Sequence, residues 1–273
     1  EMLVIASSSH REISCTNRLT NKMPLSLQVF AFASGIALLG TALASRIGPR
    51  LRVLLDKPRT RHRHRQPLPR IGGVGLFIGF AAASALAYNS APITNPDDAR
   101  RITGMMLGCV FLFLIGLLDD LRELGWLPQL LAQLGASAIA ISTTVFIERF
   151  TNPFSGDVIE LHVWPLFGPA LIILFTCFWI VGMMNTVNWL DGLDGLAAGV
   201  GAIAAILFAM HMRSLGQQHM SLYAIALAGA CIGVLPFNFS PARVFIGGTG
   251  AMVLGYGLAT LSILAPARLA TAL

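Results

Sequence analysis

The chain has 273 residues, of which 55% are hydrophobic and only 12% charged, and it carries a formal net charge of +6. Soluble domains carry roughly twice that charged fraction, so a soluble enzyme or soluble binding module is excluded and the composition is that of a multi-pass membrane protein. In such a chain a positive balance reflects the bias of cytoplasmic loops and the handling of phosphate-bearing ligands, not nucleic acid.

Residues 1–22 are polar and unpatterned and open on Glu1. Met23 stands directly before the first apolar run and is the expected native start, which leaves 1–22 as a polar lead and 23–273 as a single integral-membrane domain. No signal peptide is read, because the apolar segment after Met23 is too long and lacks a small-residue cleavage site. Eight membrane segments are predicted, at about 25–45, 71–89, 102–118, 127–147, 165–184, 196–212, 221–237 and 250–267, each near the ~20 residues that span a bilayer. The expected fold is therefore all-α, a polytopic bundle of about eight transmembrane helices. Cys109, Cys177 and Cys231 fall inside apolar runs and Cys15 in the polar lead; none has the spacing of a disulfide framework or a zinc site.

The first connection carries Arg46, Arg50, Arg52, Lys57, Arg59, Arg61, Arg63, Arg65 and Arg70, whereas Arg100 and Arg101 of the second are offset by Asp97 and Asp98. The positive-inside rule places the odd-numbered connections in the cytoplasm. Every chemically loaded stretch falls on an odd connection: the basic first loop, Asp119-Asp120 in the third, the run from Asn185 to Asp194 in the fifth, and Arg243 with a Gly-rich turn at 247–250 in the seventh. They are expected to wall one site on the cytoplasmic face.

The fifth connection holds two amides and two carboxylates within ten residues: Asn185, Asn188, Asp191 and Asp194. Charge at the end of a membrane segment is costly and usually functional. On a helix Asn185, Asn188 and Asp191 recur every third residue along one side, and Gly192 and Gly195 free the backbone so that Asp194 can turn back toward them. Neighbouring carboxylates repel unless something positive lies between them, and a hard cation such as Mg²⁺ meets that need. The bland alternative is a polar helix cap, since Asn and Asp favour helix ends. Asp119-Asp120, followed by Arg122 and Glu123, reads either as a solvated cap or as a metal ligand or base. The cations of the first loop either fix topology or hold anionic headgroups. Its ending, Pro67-Leu68-Pro69-Arg70-Ile71-Gly72-Gly73, combines stiffening prolines with glycines that let backbone come close. His64 could serve in acid–base work or stand as a solvated bystander.

Taken together, these stretches resemble the polyprenyl-phosphate N-acetylhexosamine-1-phosphate transferases, the family that includes initiators of O-antigen and teichoic acid synthesis and the phospho-MurNAc-pentapeptide translocase. The first loop is similar to the family's Asp-x-Pro-x-x-Arg-x-x-His-x-x-Pro-x-Pro-Arg-x-Gly-Gly through Asp56, Pro58, Arg61, His64, Pro67, Pro69, Arg70, Gly72 and Gly73. A second motif runs through Gly116, Asp119, Asp120 and Leu124 and continues to Leu130 and Gln133. A third runs through Asn185, Asn188, Asp191, Gly192, Asp194, Gly195, Leu196, Ala197 and Gly199. The resemblance implies transfer of a sugar-1-phosphate from a UDP-N-acetylhexosamine to undecaprenyl or another polyprenyl phosphate, with UMP released and Mg²⁺ (or Mn²⁺) required. It implies that Asp119 deprotonates or orients the lipid phosphate with Asp120 beside it. Asp56, Arg61, His64, Arg70, Asn185, Asn188, Asp191 and Asp194 would bind substrate, and Asp119, Asp120 and Asp194 would approach the metal. It further implies a bacterial inner membrane location with the active face in the cytoplasm, and leaves a homodimer open. The ending of the first loop is closer to the O-antigen and teichoic-acid branch than to the peptidoglycan translocase.

Three features depart from the pattern. The fourth motif, roughly Phe-x-Gly-Asp-x-Gly-Ser, is Phe245-Ile246-Gly247-Gly248-Thr249-Gly250-Ala251 here, so the aspartate expected to ligate metal is Gly248 and the usual serine is Ala251. The lysine common in the second motif is Gln129. Further C-terminal helices and a His- and Arg-rich loop are expected to be lacking. Two rival readings are a truncated or inactive relative, and a proton-coupled transporter relaying through Asp119, Asp120, Asp191 and Asp194. The transporter reading requires those carboxylates near mid-bilayer.

Overall fold

A computed structural model describes residues 23–51, 55–56, 68–69, 71–91, 93, 95–151, 156–164 and 166–265. Every predicted apolar run is a helix. In chain order they are α1 (Leu25–Leu51), α2 (Gly72–Ser90), α3 (Pro96–Arg122), α4 (Trp126–Ser142), α5 (Gly168–Leu190), α6 (Leu196–Ser214), α7 (Gln218–Asn238) and α8 (Gly247–Leu264). Two small antiparallel ribbons join them: β1 (Leu55–Asp56) with β2 (Leu68–Pro69), and β3 (Arg149–Thr151) with β4 (Val158–Glu160). The all-α membrane bundle expected from composition is thus the observed architecture.

Seven of the helices are long and apolar enough to cross a bilayer; α4, with 17 residues, is shorter than the rest. It nevertheless runs antiparallel to α3 over a membrane-scale depth. Gln129 bonds Asp119 at one end, and the Thr143 side chain lies against Gly104 at the other. Fifteen residues of helix separate Gly104 from Asp119, which is about 22 Å.

The helix ends differ from the predicted segments for local chemical reasons. Helix α3 starts at Pro96 instead of near 102. The Asn95 side chain accepts the Asp97 N–H at 3.0 Å, Pro96 occupies the first turn, and Asp97 and Asp98 face the positive end of the helix dipole. None of these residues is apolar, so hydropathy misses the turn. Helix α5 extends to Leu190 and carries Asn185 and Asn188 on the helix itself.

Helix α8 sits at the centre. Its residues are buried almost throughout, from Gly247 to Leu264, and it packs against α3, α5, α2 and α6. A helix apolar on all sides belongs in an interior. By contrast Leu174 and Phe178 of α5 and Ile203, Leu207 and Met210 of α6 are exposed, as suits helices whose outer face meets lipid. Close approach is set by small residues. The backbones of α2 and α8 meet at Gly73 and Gly250, where a Cβ added to Gly73 would lie 2.6 Å from Gly250 Cα and 2.7 Å from the Ile246 carbonyl oxygen. Gly73→Ala is therefore expected to destabilise by about 1–3 kcal/mol, as overpacking does. Gly182→Ala meets no atom within 4 Å and should be neutral or slightly stabilising. Thermal unfolding of both variants in detergent checks the contrast; equal midpoints would contradict it.

Candidate active site

The segment from Phe237 to Gly250, which links α7 to α8, is held by every neighbouring helix end. From α2, the Gly72 N–H donates to the Phe245 carbonyl at 2.9 Å and the Gly73 N–H to that of Ile246 at 2.8 Å. From α7, the Asn238 amide donates to the Val244 carbonyl at 3.0 Å. Helix α5 is capped by Asp191, whose Oδ2 accepts the Gly247 N–H at 2.8 Å. Gly195 then takes a left-handed conformation (φ 73°) that only glycine adopts freely. In the turn before it, Asp194 Oδ2 accepts the Ala242 N–H at 3.1 Å. The expectation that the odd connections share one face is met geometrically. The end of the first loop, the end of α3, the end of α5 and the start of α8 converge at one end of the bundle.

The acidic pair of α3 closes the arrangement. Asp119 and Asp120 lie in its last turns, both buried. The Asp120 carboxylate accepts the Gly248 N–H at Oδ1 (3.0 Å), and at Oδ2 the Thr249 N–H (3.0 Å) and the Thr249 hydroxyl. Unpaired N–H groups at a helix start carry partial positive charge and suit a carboxylate. Asp120 is in effect the cap of α8, supplied from a residue 128 positions earlier. Asp119 is held differently: its Oδ2 accepts from the Gln129 side-chain amide at 2.8 Å. One turn further along α4, Gln133 and Asn185 exchange amide hydrogen bonds, with Asn185 Nδ2 donating to Gln133 Oε1 at 3.0 Å. Asn185 also donates to the Val181 carbonyl within α5. Gln129 and Gln133 are four residues apart and so face the same way, and they tie the acidic end of α3 to the polar end of α5.

Of the residues singled out in the sequence, the structure brings Asp119, Asp120, Asn185, Asp191 and Asp194 to this end of the bundle. Asn188 is exposed on α5 and takes part in none of these bonds. Asp56 lies in β1, where its backbone pairs with Leu68, and Arg61, His64 and Arg70 lie outside the described residues. Gln129 and Thr249 were not predicted as site residues. The signal for Gln129 was a polar residue four positions before another on an otherwise apolar helix. The carboxylates sit in the last turn of α3, at the cap of α5 and in the turn after it, not at mid-helix, which removes the geometry a mid-bilayer proton relay requires.

The donor set does not fit a divalent cation. Among the described residues no group of three His, Cys, Asp or Glu side chains is placed to hold a metal ion, so Asp119, Asp120 and Asp194 do not assemble into one. Asp120 already serves three donors from the start of α8. Gly248, which offers no side-chain oxygen, stands where a Cβ would point between Asp119 Oδ2 and Asp120 Oδ1, 3.1 Å from each.

Comparison with known proteins bears on what this arrangement is. The sequence profile of glycosyl transferase family 4 matches residues 102–265, which span α3 to α8. A probable undecaprenyl-phosphate N-acetylglucosaminyl 1-phosphate transferase of Bacillus subtilis is 34% identical over 77% of this chain and 55% of its own length. A phospho-N-acetylmuramoyl-pentapeptide-transferase of Desulforudis audaxviator is 37% identical over 80% of this chain and 68% of its own length. A decaprenyl-phosphate N-acetylglucosaminephosphotransferase of Mycobacterium tuberculosis is 34% identical over 81% of this chain and 54% of its own length. The chain thus spans only about half the length of two of these three relatives. The matched region contains both acidic motifs, the paired glutamines and the α8 turn they hold, and on that match the chain belongs to glycosyl transferase family 4.

Proposed function

We propose that this protein transfers N-acetylhexosamine-1-phosphate from a UDP-sugar to undecaprenyl or another polyprenyl phosphate, giving polyprenyl-diphospho-sugar and UMP. It would do so at the cytoplasmic face of the bacterial inner membrane, as an initiating step of O-antigen or another cell-envelope polysaccharide. The observation that carries this reading is the convergence of Asp119, Asp120, Asn185, Asp191 and Asp194 on the 237–250 segment at one end of the bundle. The arginine-rich first connection reaches the same end through Gly72 and Gly73, which supports both the cytoplasmic assignment and a role in holding phosphates. N-acetylglucosamine is the proposed sugar because two of the relatives named above are N-acetylglucosamine phosphate transferases.

In the proposed reaction an oxygen of the lipid phosphate ends bonded to the phosphorus that carries the sugar, and the bond from that phosphorus to UMP breaks. Both partners are anions, so the protein must orient them and offset repulsion. Asp119, steadied by Gln129, accepts the lipid phosphate's proton or fixes its orientation. Asp120, Asp191 and Asp194 hold the 242–249 backbone in place. Asn185, steadied by Gln133, presents an amide to the nucleotide sugar.

Membranes containing this chain, given UDP-GlcNAc labelled in the sugar and polyprenyl phosphate, are expected to form a labelled lipid product and release UMP in equal amount. Hydrolysis of the UDP-sugar without lipid product, or no turnover in membranes where the folded chain is demonstrated, would sink the proposal.

A further inference from the structure

The two positions at which the second and fourth motifs are unmatched, Gln129 and Gly248, meet at a single atom. Gln129 Nε2 donates to Asp119 Oδ2 at 2.8 Å, and the absent side chain of Gly248 points at that same oxygen from 3.1 Å. We propose that Gln129 and Gly248 are a matched pair, with Gln129 a positioning residue for Asp119, and that together they hold the Asp119–Asp120 carboxylates on protein donors in place of a bound divalent cation. This rests on the reading of Asp119 as part of the transfer site.

Charge accounting supports the pairing. A carboxylate at 248 would add one negative charge against two existing carboxylates, and like charges in a shared buried site strongly resist joint ionisation. That addition calls for a cation. A lysine at 129 would supply one at the same Asp119 oxygen, and a bound metal would supply more. With glycine at 248 neither is needed. A neutral amide suffices for Asp119, and Asp120 is satisfied by Gly248 N–H, Thr249 N–H and the Thr249 hydroxyl. The geometry is also tight. A Cβ 3.1 Å from both oxygens must push each carboxylate by a few tenths of an ångström, so the present contacts are fitted to glycine.

The test uses the full chain purified in detergent, as the unaltered protein and as Gln129→Lys, Gly248→Asp, Gly248→Asn and Gln129→Lys/Gly248→Asp. Thermal unfolding is followed in EDTA and in excess MnCl₂, and Mn²⁺ binding by electron paramagnetic resonance. The unaltered chain should show no Asp119-dependent Mn²⁺ binding and the same midpoint in both media. Gly248→Asp should unfold several degrees lower in EDTA, recover with Mn²⁺ and bind it, as a ligand that favours the folded state requires. Gly248→Asn shares the bulk but not the charge, so it should fall less in EDTA and gain nothing from Mn²⁺. Gln129→Lys/Gly248→Asp should regain most of the loss without metal. That non-additive shift is one a merely structural glutamine would not give.

Mn²⁺ bound by the unaltered chain and lost with Asp119→Asn would overturn the proposal, as would a double-variant shift equal to the sum of the single ones. Should Gly248→Asp not fold, the Mn²⁺ result on the unaltered chain decides alone. No readout involves the UDP-sugar, so a silent transfer assay and a failed pairing are told apart.

Discussion

Asp119→Asn is expected to lower sugar-phosphate transfer by about 10²–10⁴-fold, the range typical for loss of a positioned acid–base group, while leaving the unfolding temperature nearly unchanged. The two halves of this result follow from how the side chain is held. Asparagine has the same shape, and its carbonyl oxygen can still accept from Gln129, so the α3–α4 contact survives. What is lost is the negative charge and the capacity to take a proton. Asp119 does not hold the start of α8; that falls to Asp120. The measurement is the initial rate of labelled lipid product with both substrates saturating, paired with thermal unfolding of the same preparation. If Asp119 acts on bound lipid phosphate, kcat falls and KM for the UDP-sugar moves little. A rate within a factor of a few of the unaltered chain would remove Asp119 from the chemistry. A matching collapse in stability would make it a structural residue instead.

Much of the architecture was legible because its signal is redundant. A span such as 221–237 contains no charged residue, and few structures other than a membrane helix can accommodate it. The ends were less legible because hydropathy cannot score a cap. The Asn95–Asp97 bond and Pro96 add a turn to α3 that reads as loop, and Asn185 and Asn188 stop the apolar count before α5 ends. Counting connections was enough to gather the acidic stretches at one face, since that depends only on how many times the chain crosses.

The contacts of those acids were not legible. Asp120, Asp191 and Asp194 were read as groups aimed at substrate or metal, yet each accepts a backbone N–H from the 242–248 stretch. The partners are 48 to 128 residues away, and no local pattern encodes such a pairing. Gln129 read only as a missing lysine until its amide was seen on Asp119. Gly248 read as a missing carboxylate until its position showed that nothing larger fits there without movement.

The same contacts predict that Asp120→Ala destabilises the fold by about 3–5 kcal/mol, far more than a typical single change. Hydrogen bonds to a charged group contribute roughly 1.5–3 kcal/mol each and do not simply add, and Asp120 accepts three from Gly248 and Thr249. Alanine would leave two backbone N–H groups and a hydroxyl facing a cavity at the first turn of the most buried helix. Thr249 is itself buried, and burial without a partner is the costly outcome for such groups. The loss should begin locally. Amide exchange at Gly248 and Thr249 should accelerate first, and the Asp191 contact at Gly247 should loosen with them. Transfer activity should fall as well, since the 242–249 backbone forms part of the site wall. Unfolding in a mixed-micelle titration, read beside Asp119→Ala, tests the asymmetry between the two neighbouring acids. Asp120→Ala should shift the midpoint strongly and Asp119→Ala weakly. The reverse order would mean that Asp120 is not what fastens α8 to α3.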